Sequence, residues 1–134
     1  MQIALVITLS LHVLSTVFWA GTSFALARTG GVGGDQLFRP QMAAAVIAVL
    51  TGGYLGHLVH AGTFGTAEQV LAIGALAALV AAGVQGAIGG GAIRSLHVGK
   101  TDEAGARSGI ATAQRVAAAL LALAAVCMGA ARYA

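Results

Sequence analysis

Residues 8–23 read TLSLHVLSTVFWAGTS and lie inside a stretch, 3–27, that holds no charged residue and is long enough to cross a bilayer. Thr8, His12, Ser15, Trp19 and Thr22 or Ser23 recur at steps of three and four, so they stack along one face of a helix. An imidazole near the middle of a lipid-facing helix would be desolvated with nothing to hydrogen-bond it. The stripe is therefore expected to face other helices, with His12 as the residue around which the bundle is organised.

The rest of the chain has the same character. Hydrophobic residues make up 58% of the 134 and charged residues only 8%, whereas a soluble domain carries roughly 25% charged residues. Mean hydropathy is +0.90. This composition lacks the material for a water-facing surface and predicts a single all-α domain over 1–134, an integral membrane bundle. The formal charge of +3 comes from few residues placed in short connections. It suits anionic headgroups and topology control rather than nucleic acid. Cys127 is the sole cysteine, which excludes an internal disulfide and C-x-x-C redox chemistry. No Lys or Arg precedes the first apolar run, so Ala25-Leu26-Ala27 is read as part of a retained helix rather than a cleavage site.

Apolar runs and breaks predict four antiparallel helices, at about 3–27, 40–60, 67–93 and 109–131. Residues 28–39 read as a glycine-rich flexible connection, and Pro40 as the first turn of the second helix. The glycines lack the following Gly-Lys-Ser/Thr of a phosphate loop. Gly86, Gly89 and Gly90 read as packing positions, and 94–108 as a polar loop. Arg28 and Arg39 flank the first connection, Arg94, Lys100 and Arg107 lie in the third, and the second has no Lys or Arg. By the positive-inside rule the first and third face the cytoplasm of a bacterial inner membrane, with both termini outside.

That topology places His12, His57 and His60 toward the outer half, with Cys127 and Met128. Gln85, Gln114 and Arg115 form a second polar level toward the inner side. His12 and His57, on adjacent antiparallel helices, are expected to clamp a b-type haem in the bundle core, with His60 as the alternative second ligand. Many Gly and Ala residues would leave room for the macrocycle. Trp19 and Tyr54 would pack on it, and Arg115 would either meet a propionate or snorkel to headgroups. Two axial ligands favour electron transfer, with a quinone or a redox partner protein. Copper is the competing cofactor for the same histidines, with Met128. A small-solute transporter and a structural or assembly subunit, or a homo-oligomer, are the other readings. No Asp or Glu lies within a span apart from Glu68 at the very start of the third, so proton-coupled drug export lacks its mid-span carboxylate.

His12 followed by Trp19 and Gly21, in LHVLSTVFWAG, resembles the first-helix pattern H-x6-W-x-G. That pattern occurs in a group of bacterial membrane proteins. It includes copper-resistance protein D-like proteins, membrane protoporphyrinogen oxidase and the membrane domain of a bacterial urate oxidase. The resemblance implies a haem- or copper-linked bundle and His12 as its first ligand. After Gly21 the chain lacks the aromatic and basic run ending in histidine of the protoporphyrinogen oxidase group, and it has no intramembrane lysine. The resemblance therefore points to a small haem-binding relative rather than to an oxidase of porphyrinogens.

Overall fold

The computed structural model of the chain describes residues 2–60, 62 and 64–134, and its description of His60 stops at the backbone. Four helices account for nearly all of it. They are α1 (Gln2–Arg28), α2 (Gly34–His60), α3 (Thr66–His97) and α4 (Glu103–Ala131). Each is long and apolar enough to cross a membrane. Large aliphatic side chains such as Leu14, Leu50 and Val126 point outward and are about two-thirds exposed, at 68%, 68% and 66%. Such a surface is stable against lipid and not against water. The protein is a multi-pass, all-α four-helix membrane bundle.

α1 packs against α2 and α4, and α3 packs against α4 and more lightly against α2. The helices therefore follow one another around the bundle. α4 is the most enclosed, with 50% of its apolar window buried against 11% for α1. On α1 the buried residues are Ser15, Trp19, Ser23 and Leu26; the first three belong to the stripe expected to face other helices, while Thr8 and His12 are only half-buried. The buried apolar cluster is mostly alanine, with Trp19 and Leu121 as its large members. Small side chains let helix backbones approach closely in a membrane, where dispersion and hydrogen bonds replace the hydrophobic drive to associate. The alanines expected to leave room for a macrocycle instead close the bundle.

Both polar connections are shorter than the sequence suggests. α2 begins at Gly34, so the first connection is only 29–33 and Pro40 lies inside the helix rather than at its start. Gln36 is exposed, so water reaches the carbonyl that Pro40 leaves without a donor. Gly31 has a φ of +85°, and a Cβ there would lie 2.6 Å from the carbonyl oxygen of Arg107. Glycine is thus required both for the turn and for its seat on α4. α4 begins six residues earlier than its apolar run, because the Asp102 side chain accepts from the Gly105 N–H at 2.8 Å. Glu103 follows in the first turn, where a carboxylate suits the helix dipole.

α3 widens into a π turn at Gln85–Gly89. Its buried residues Ala77, Ala81, Gln85 and Gly89 recur at steps of four. In a regular α-helix such steps drift steadily around the axis. Bonding from i to i+5 winds the chain more slowly and offsets that drift, so Gln85 and Gly89 both reach the centre.

Candidate functional site

His12 is held against α2. Its Nδ1 lies 3.0 Å from the carbonyl oxygen of Ala48 and 3.0 Å from Thr51 Oγ1. A carbonyl only accepts, so Nδ1 carries a proton and donates it. The Thr51 hydroxyl gives its own proton to the Ile47 carbonyl at 2.6 Å, which frees its lone pairs for His12. The imidazole edge sits over Gly52, where an added Cβ would come within 2.9 Å of Cε1. Ring position and tautomer are both fixed.

The other nitrogen, Nε2, has no partner among the described residues. Among the described residues no buried side-chain nitrogen or oxygen lacks one, so Nε2 is not sealed inside the bundle. His12 stands 16 residues before the end of α1 at Arg28, about 24 Å along the axis. A lone pair is therefore presented mid-span by a ring whose back is anchored. Histidines that bind metals are oriented in this way, with the far nitrogen donating to a carbonyl.

The remaining expected ligands do not converge on it. His57 is exposed and lies nine residues after Ala48, which places it about 180° around α2 from the face that meets His12. Within one chain the two rings do not form an interior clamp, because α2 separates them. Tyr54 is also exposed on α2. The side chain of His60 falls outside the described residues. Trp19 shares a face with His12 but is buried in the centre, where its indole N–H is committed. Arg115 is exposed on α4 and borders a groove at the loop end of the bundle. Cys127 is buried, its Cβ 2.9 Å from where one on Gly74 would lie. Among the described residues no group of three or more His, Cys, Asp or Glu comes together.

A second polar centre contains no ionisable group. Trp19 Nε1 donates to Gln85 Oε1 at 2.6 Å. Gln85 Nε2 donates to Ser23 Oγ at 2.8 Å and to Gln114 Oε1 at 2.9 Å. Gln114 and Gln41 exchange hydrogen bonds of 2.8 and 3.1 Å, and Gln41 Nε2 also reaches Thr22 and Ser23. Each helix contributes, and every amide uses both of its ends. The cluster thus satisfies itself and leaves no group for a ligand. It fixes helix register.

Gln85 and Gln114 are visible in the sequence as a polar level, but Gln41 is not, because Pro40 makes it look like a helix start. The signal for it is that an isolated amide in an apolar helix needs partners on other helices. The chain matches no protein-family model, no curated protein and no solved structure.

Proposed function

We propose that this chain is a haem-binding membrane protein that holds a b-type haem against its α1–α2 face, with His12 Nε2 as an axial ligand, for electron transfer. The observation that carries the reading is the anchored imidazole: Nδ1 is bound to Ala48 and Thr51 while Nε2, mid-span, has no partner among the described residues. An accessible lone pair in hydrocarbon is costly unless something engages it. The Ala48 carbonyl keeps the ring from turning, and Gly52 keeps the space the ring occupies.

Haem bound there supplies one-electron redox chemistry. His57 faces away from His12 in its own chain, so it would hold the haem only from a second copy, in a homo-oligomer. His12 lies nearer the end of the bundle away from the basic connections. With those connections cytoplasmic, His12 would hold the haem toward the periplasmic side of a bacterial inner membrane, where a membrane quinol or a redox partner protein could meet it.

The test is an absorption spectrum of the protein purified in mild detergent, before and after dithionite. A sharp Soret band with split α and β bands on reduction is expected. A colourless protein that carries copper instead would replace haem by copper at the same nitrogen.

A further inference from the structure

At the loop end of the bundle, Arg107 and Arg115 border one groove of about 340 Å³ together with Gly30, Ala104, Ser108 and Ala111. Arg107, Ala111 and Arg115 recur at steps of four on α4, and so share a face. The side chains between and opposite the two arginines are all small, so the groove is basic at its rim and shallow in the middle. Neither guanidinium has a hydrogen bond or ion pair among the described residues. Asp35 and Glu103 border a separate cleft of about 140 Å³ on the other side of Arg107, and no carboxylate borders the groove itself.

Arg115 is the unusual member. It follows Gln114 within the apolar part of α4, 12 residues from Glu103, about 18 Å along the axis. A guanidinium facing hydrocarbon at that depth is costly unless it reaches headgroups or is neutralised. Side chains on a helix lean toward its N-terminus, which for α4 is the loop end. Arg115 therefore leans toward Arg107 and the basic connections.

We propose that Arg107 and Arg115 together hold the phosphodiester of an anionic phospholipid in this groove. Two guanidiniums offer paired N–H donors to phosphate oxygens, and basic pockets on transmembrane bundles recognise such headgroups. The depth of Arg115 selects a lipid over a soluble anion, because the inner end of the groove lies where only a headgroup–acyl junction reaches. The site is independent of any cofactor at His12.

Thermal unfolding of the full chain in mild detergent tests this, with added phosphatidylglycerol, phosphatidylcholine or inorganic phosphate. Phosphatidylglycerol is expected to raise the midpoint, and the other two to leave it unchanged. Each of Arg107→Gln and Arg115→Gln should weaken the phosphatidylglycerol response roughly fivefold, whereas Arg94→Gln, outside the groove, should retain it. Native mass spectrometry of the wild-type protein gives a second reading that does not depend on a variant folding, with phosphatidylglycerol retained in preference to phosphatidylcholine. An equal response to phosphatidylcholine, an equal response to inorganic phosphate, or a full response in both arginine variants would overturn the proposal. So would equal retention of the two lipids.

Discussion

The Trp19 indole N–H donates to the Gln85 side-chain oxygen over 2.6 Å, joining α1 to the π turn of α3 at the centre of the bundle. Both residues are essentially inaccessible, at 2% and 0% exposure. Gln85 also donates to α1 and α4 through its nitrogen, so one amide ties three helices.

Replacing Gln85 with Leu should be among the most destabilising single changes in the protein. It leaves the Trp19 N–H without an acceptor and removes one of the two donors to Gln114 Oε1. Orphaning a buried donor costs roughly 1–3 kcal/mol, with membrane examples toward the low end. The measurement is the thermal midpoint in detergent. Gln85→Glu at high pH should be worse than Leu, since it buries a charge.

Asp102→Ala should cost about 1 kcal/mol by removing the cap that starts α4. Thermal or denaturant unfolding would register it, without any change at the His12 face. The effect should be smaller in Asp35→Ala, because Asp35 makes no capping bond and contributes only to the dipole of the first turn of α2.

Gly52→Ala places a methyl group 2.9 Å from His12 Cε1 and should lower haem occupancy while leaving the histidine in place. Gly53→Ala meets nothing within 4 Å. It should retain occupancy and raise stability by a few tenths to about 1 kcal/mol through helix propensity. The ratio of Soret to protein absorbance in the two variants separates a ring-seating role from general packing.

His57→Ala should retain haem but change its coordination. If His57 of a second copy supplies the sixth ligand, the variant spectrum shifts from six-coordinate toward five-coordinate. The wild-type spectrum should shift likewise when dilution separates the oligomer. A six-coordinate spectrum in His57→Ala at every concentration would exclude His57 as that ligand.

The sequence made the four spans legible because charged residues other than Arg115 lie in the connections or near helix ends, and it made the buried face of α1 legible because polar and aromatic residues recur at helical steps. The helix ends were less readable. Pro40 reads as a first turn, and the Asp102–Glu103 cap lies within a polar stretch that reads as a loop, although its residue types mark a helix start. His12 stood out, but its partners did not. Whether His57 joins it depends on which side of α2 meets α1, and α2 carries small residues on several faces. The π turn had no local signal. Gln41 became significant only once Gln85 and Gln114 were placed beside it.

The most direct measurement is a haem titration of the apoprotein, comparing wild type with His12→Ala and following the Soret band. The wild-type protein should saturate and give split α and β bands on reduction, while His12→Ala, folded to the same helical content, should not bind. Saturation of His12→Ala with the wild-type spectrum would contradict the account, as would a wild-type protein that remains colourless throughout.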